Sequence, residues 1–193
     1  MNLFAKLQAR AAQAKPVRVG LIGAGKFGSM YLSQVPRTPG VHLVGIADLQ
    51  PVRARQALKH VGWSEQRFAA QSLEHAANTG ATAIIEDSMA LIASPFIDIV
   101  IDATGHPGAG IAHVLACCEH SKHIIMVNVE ADALAGPLLG RKAKEAGVVY
   151  SLAWGDQPAL ICEHVDWART AGFKVVAAGK GTRYEPHYHR SNP

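Results

Sequence analysis

The chain of 193 residues lacks most of the features that mark a membrane, secreted or nucleic-acid-binding protein. No apolar run approaches the roughly 20 residues of a membrane span. Cysteine is scarce: Cys117, Cys118 and Cys162 are odd in number, two are adjacent, and all lie in apolar helical contexts. That pattern excludes a disulfide framework and predicts reduced, buried thiols in a cytoplasmic protein. Aromatic residues make up 6%, and no basic stripe accompanies them. The densest basic cluster, Arg141-Lys142-Ala143-Lys144, reads as the solvated face of a helix. Neither nucleic acid nor a membrane is therefore expected as a partner. There is no internal repeat and no low-complexity tract. Residues 1–16 lack a continuous apolar stretch and a cleavage pattern, so no signal peptide is read. Leu3, Phe4, Leu7 and Ala11 fall at helical spacing. They predict an amphipathic helix packed on its own domain or on a second subunit, with a mitochondrial-type presequence as the alternative. A homo-oligomer is expected.

What the chain does have is an ordinary apolar content, 49%, and a net charge of +4. A mild positive field suits anionic ligands. The organising stretch runs from Val17 to Gly28. Apolar strand-type residues to Ile22 stop at a glycine cluster, and a segment free of Pro and Gly follows from Ser29. Gly23, Gly25 and Gly28 fit G-x-G-x-x-G, with Lys26 and Phe27 inside the motif. Such glycines make a tight turn, admit a pyrophosphate to the backbone and let helix pack on strand, while the helix N-terminus faces the phosphates. Asp48 follows Gly28 by 20 residues, at the end of a second apolar strand. There a carboxylate meets the adenosine ribose; its alternative is a helix cap before Pro51. Asp48 alone favours NAD. Arg53 and Arg55 suit a 2′-phosphate and keep NADP open, and S-adenosylmethionine is a further ligand bound below such turns.

The pattern predicts strands over 17–22, 41–47, 81–85, 97–103, 122–128 and 148–153. Predicted helices cover 51–61, 64–77, 88–93, 108–120, 137–146 and 159–170, with a turn at 129–132. A seventh strand is expected over 173–178. Alternation of this kind gives an α/β fold, a doubly wound parallel Rossmann sheet in the order 3-2-1-4-5-6. The domains read as an N-terminal helix (1–16), an NAD(P)-binding domain (17–153) and the truncated beginning of a catalytic domain (154–193).

Chemistry-bearing residues gather at expected strand ends. Thr104, Gly105 and His106 leave the fourth strand as a nicotinamide-side or substrate contact, against the reading of a plain loop. Asn128, Glu130 and Asp132 follow the fifth; Glu130 meets the nicotinamide ribose or the substrate, or is an acidic first helical turn. Asp156 and Glu163 lie two helical turns apart on one face, as a carboxylate pair for acid–base work or metal binding, or as a cap and a solvated Glu. Lys180 stands between two glycines, where it can polarise an oxygen or bind phosphate. His187 and His189 lack a third ligand, so no metal site is assigned.

Gly155-Asp156-Gln157-Pro158 and Gly179-Lys180-Gly181-Thr182, with Gly20 to Met30 and Asn128 to Asp132, carry a likeness. The sequence resembles homoserine-dehydrogenase-like oxidoreductases bearing a C-terminal SAF domain, among them the 1-deoxy-D-xylulose 5-phosphate reductoisomerase-like enzymes. The resemblance implies an NAD(P)-dependent oxidoreductase with a small substrate, a phosphorylated ketose in the reductoisomerase-like members. It sets Asp156, Glu163 and Lys180 near that substrate. Members are usually more than twice this length. A non-catalytic NAD(P)-binding redox sensor is the rival reading.

Overall fold

Apolar runs buried on both faces become the strands of a parallel sheet. They are β1 (Val17–Ile22), β2 (Val41–Ala47), β3 (Ala83–Ile85), β4 (Ile99–Asp102), β5 (His123–Met126) and β6 (Tyr150–Leu152). The computed structural model describes residues 2–153 and 157–179. All six strands are parallel, in the order β3-β2-β1-β4-β5-β6 expected from the sequence. The helices are α1 (Leu3–Ala12), α2 (Lys26–Gln34), α3 (Pro51–His60), α4 (Leu73–Thr79), α5 (Ser88–Ala93), α6 (Pro107–Glu119), α7 (Val129–Glu145) and α8 (Gln157–Thr170). Two units divide the chain, Met1–Leu152 and Ala153–Pro193.

Successive strand residues point to opposite faces, so the sheet supports two cores. Val19, Leu21 and Ile101 pack with Leu32, Ala54 and Leu58 of α2 and α3. Ile22, Val100, Ile124 and Met126 pack with Leu91, Val114 and Leu139 of α5, α6 and α7. Leu43 and Ile46 of β2 both reach the first core although they are three apart. A bulge allows this: Val19 pairs with Leu43 but Gly20 pairs with Gly45, leaving Val44 as an extra residue.

Several expected boundaries move. The helix predicted over 64–77 is instead a 3₁₀ turn, Glu65–Phe68, followed by α4. Phe68 drops into the first core and Ala70 bridges to Ala83, so the chain must run extended between them. Ser72 then caps α4 by accepting from the His75 N–H. The turn expected at 129–132 is the first turn of α7, which runs unbroken through Pro137. Asn128 caps it, accepting from the Ala131 N–H. Pro137 and Ala133 both face solvent, where water can take the carbonyl that proline leaves unbonded. Ala131, Leu139 and Ala143 on the other face are buried and hold the helix across it.

In the second unit, the strand expected over 173–178 does not form among the described residues. The segment runs instead along Ile161, His164, Val165 and Ala168 of α8. Of the thiols, Cys117 is buried but Cys162 is exposed, because it lies on an outer face of α8. No helix among the described residues is long and apolar enough to cross a membrane.

Because Pro137 denies α7 one internal hydrogen bond on an exposed face, Pro137→Ala should stabilise the chain. The gain is expected to be about 1–2 kcal/mol, less than the full proline penalty because proline also restricts the unfolded chain. A thermal melt showing an unchanged or lower midpoint would contradict it.

Candidate functional site

The turn after β1 owes its shape to its glycines. Gly23 has φ +91°, and a Cβ there would lie 2.9 Å from the Ala103 carbonyl oxygen. A Cβ on Gly28 would strike the Gly23 carbonyl, so α2 sits hard against the turn. Gly25 is different: a Cβ there would meet only Arg53 Nη2, at 3.6 Å. Gly25 is also the N-cap of α2 without a side-chain cap bond, so the first N–H groups of α2 are left for an anion.

Asp48 is tied directly to this turn. Its Oδ2 accepts from the Ala24 N–H at 2.8 Å, and its Oδ1 accepts from the Gln50 N–H at 2.8 Å. Each oxygen keeps a free lone pair. A cleft of about 520 Å³ opens beside it, lined by Gly23, Gly25, Asp48, Leu49, Gln50, Arg53, Glu86, Ser88, Thr104, His106, Ala109 and His113. Leu49 is 84% exposed, an apolar side chain left open at the cleft wall.

Of the residues singled out in the sequence, Gly23, Gly25, Asp48, Arg53, Thr104 and His106 come together along this cleft. Gly28 stands behind it as a packing residue. Lys26, Phe27, Gly105, Asn128 and Glu130 do not line it. Glu130 lies exposed in the first turn of α7, the acidic-turn alternative. Asp156 and Lys180 lie outside the described residues, as do His187 and His189; Glu163 is exposed on α8. Arg55 is exposed on α3 and does not line the cleft.

Asn128 is buried and its hydrogen bonds are spent within the protein. Its Nδ2 donates to Thr104 Oγ1 at 3.1 Å and to the His106 carbonyl at 3.0 Å. It therefore acts on the cleft by holding the turn after β4. The same turn is held from below by Asp102, which is fully buried. Asp102 Oδ1 accepts from the Thr104 N–H at 2.9 Å and the Thr104 hydroxyl at 2.7 Å. Its Oδ2 lies 2.9 Å from His113 Nδ1, and His113 Nε2 lies 3.0 Å from Ser88 Oγ. Burial pushes the Asp102 carboxyl up, but the bonds from His113 and Thr104 together outweigh it and hold it below its ordinary value of 3.8. His106 caps α6, its Nδ1 accepting from the Ala109 N–H at 3.1 Å.

Glu86, Ser88, His113 and Asp102 were not singled out in the sequence. A histidine inside the apolar helix 108–120 and an aspartate inside an apolar strand were the available signals, and their pairing is visible only in three dimensions.

Breaking this buried pair leaves a polar group without its partner, so Asp102→Asn should cost about 3–5 kcal/mol at neutral pH in a denaturant titration. Asp102 has a folded pKa below its unfolded one. Its contribution is therefore complete above the unfolded value and is lost as pH falls through the folded one. The variant should lose that part of the acid-side slope; an unaltered slope would refute the assignment.

Known proteins share this architecture. Residues 17–127 match the model of the GFO/IDH/MocA family, described as an oxidoreductase family with an NAD-binding Rossmann fold. Residues 155–193 match the catalytic domain of oxidoreductase DRL. A homoserine dehydrogenase of Pseudomonas aeruginosa is 31% identical over 137 residues, 70% of this chain and 28% of that protein. The chain thus spans little more than a quarter of that relative's length. An NAD-binding oxidoreductase from Klebsiella pneumoniae superposes with a TM-score of 0.55 at 19% identity, covering 81% of this chain and 39% of that one. A myo-inositol dehydrogenase from Lactobacillus casei, solved with NAD(H) and myo-inositol, gives 0.55 at 19%, covering 79% and 42%. With a family match over more than half of its length, and with the glycine turn and Asp48 in one cleft, the chain belongs to the oxidoreductase family with an NAD-binding Rossmann fold.

Proposed function

We propose that this cleft takes the adenosine half of a nicotinamide dinucleotide, and that NAD(H) is preferred to NADP(H). The observation that carries the reading is Asp48, bonded to the Ala24 N–H beside Gly23 and Gly25. A pyrophosphate over the glycine turn sets the ribose hydroxyls within reach of its free lone pairs. Glu86 adds a second carboxylate to the same cleft. A 2′-phosphate would meet both charges. The guanidinium of Arg53 stands nearest Gly25, where it serves the pyrophosphate. On this reading Thr104 and His106 belong to the adenosine side, since they share the cleft with Asp48.

The bound group supplies hydride transfer at its nicotinamide ring, and the chain's own residues bind and orient it. The reaction we favour is oxidation or reduction of a small carbonyl or hydroxy compound, phosphorylated if the chain is of the reductoisomerase-like kind with a SAF domain. Support comes from the match of 155–193 to the DRL catalytic domain, the stretch that contains Asp156, Glu163 and Lys180. Asp156 and Glu163 are proposed for proton transfer and Lys180 for holding a developing oxyanion or a phosphate.

Titration of the 193-residue chain with NADH and with NADPH, followed by nicotinamide fluorescence, tests the cofactor assignment. NADH should bind at least about tenfold more tightly, a difference of roughly 1.4 kcal/mol. Asp48→Ala should erase most of that difference. Absence of binding to either would sink the reading, and equal or tighter NADPH binding would reject the preference.

A further inference from the structure

We propose that the solvent face of α7 is a pairing surface for a second copy of this chain, with the two α7 helices antiparallel across a two-fold axis.

The helix runs from Val129 to Glu145 and buries Ala131, Gly136, Leu139 and Ala143 against its own domain. Its opposite face is not the polar one that a surface helix normally shows. Leu134 is 69% exposed and Leu138 46% exposed, one turn apart, with exposed Pro137 between them. Glu130 lies one turn before Leu134, and Arg141 lies one turn after Pro137; both are exposed. These five residues fall at i, i+4, i+7, i+8 and i+11, a single stripe along the helix. Three apolar side chains thus stand between a carboxylate at one end and a guanidinium at the other. Among the described residues neither Glu130 nor Arg141 has an ion-pair partner. None of the five lines the cleft.

The order of the stripe selects the occupant. The midpoint of Glu130 and Arg141 falls between Ala135 and Gly136, and so does the midpoint of Leu134 and Pro137. One two-fold axis through that point therefore sets Glu130 opposite the partner's Arg141 and Leu134 opposite the partner's Pro137 and Leu138. Such an isologous contact uses the same patch twice and closes on itself. Lys142, beside Arg141, adds to the positive charge that the carboxylate meets, while Lys144 and Glu145 fall beyond the overlap. A parallel pairing would set Glu130 on Glu130 and Arg141 on Arg141. A membrane suits the stripe less well, because an interfacial helix carries basic residues beside a continuous apolar face, not an acid on the stripe itself. Antiparallel pairing also brings each helix N-terminus to the partner's C-terminus, the favourable sense of the helix dipoles. The patch is small against the roughly 800 Å² per partner of a stable complex, so the dimer is weak, half formed on the order of 100 μM chain.

Sedimentation velocity of the 193-residue chain, from about 5 to about 500 μM, should show monomer giving way to dimer. Glu130→Arg and Arg141→Glu should each weaken the dimer at least about tenfold, because each reversal sets two like-charge pairs across the axis. An equimolar mixture of the two variants should dimerise as the native chain does, and so should a chain carrying both substitutions. Leu134→Lys should abolish the dimer. All three positions are exposed, so circular dichroism should find each variant folded. A chain that stays monomeric throughout, a dimer indifferent to the single reversals, or a mixture that fails to recover it would overturn the inference.

Discussion

The buried carboxylate of Asp102 is the constraint on which the cleft depends. It closes β4 at the centre of the sheet, between β1 and β5, and nothing around it is solvent. An ionised carboxylate there is tolerable only if its lone pairs are met. Thr104 and His113 meet them, and in doing so fix the turn after β4 and the placement of α6. Asn128 and Ser88 extend the network to α7 and α5. One charge thus gives four helical and loop elements a common reference. A purely apolar strand end would hold the core as well but would leave the turn unspecified.

Asp48 performs the same service for the other half of the cleft. It spends one lone pair on the Ala24 N–H and keeps others for a ligand. The carboxylate that a ribose would meet is therefore also a strut of the turn that a pyrophosphate would meet. Binding and architecture share an atom, so neither can drift independently of the other.

Much of this was readable from residue order alone. Strand order followed from alternation and from the glycine motif, and the placement of Asp48 beside the glycine turn followed from its spacing after Gly28. The reading was weakest where local signals misled. Pro137 looked like a helix start, yet the buried face of α7 carries the helix through it. The stretch 64–77 looked like one long helix, yet Phe68 and Ala70 are drawn into opposite cores. His113 was invisible as a polar partner because its sequence neighbours are apolar and Asp102 is eleven residues away. Asn128 was found by its position at a strand end, but its task is internal: both amide hydrogens are taken by the turn it supports.

The bulge at Val44 has a bearing on the cleft some distance away. A strand carries its side chains to alternate faces, so an odd residue inserted in β2 reverses the facing of everything beyond it. Leu43 and Ile46 share a core only because of that reversal. Asp48 lies downstream of the same insertion. With a regular strand, a Leu43 seated in its core would leave Asp48 turned away from the glycine turn, and an Asp48 seated at the turn would pull Leu43 out. The extra residue lets one strand satisfy a packing phase at its start and a binding phase at its end.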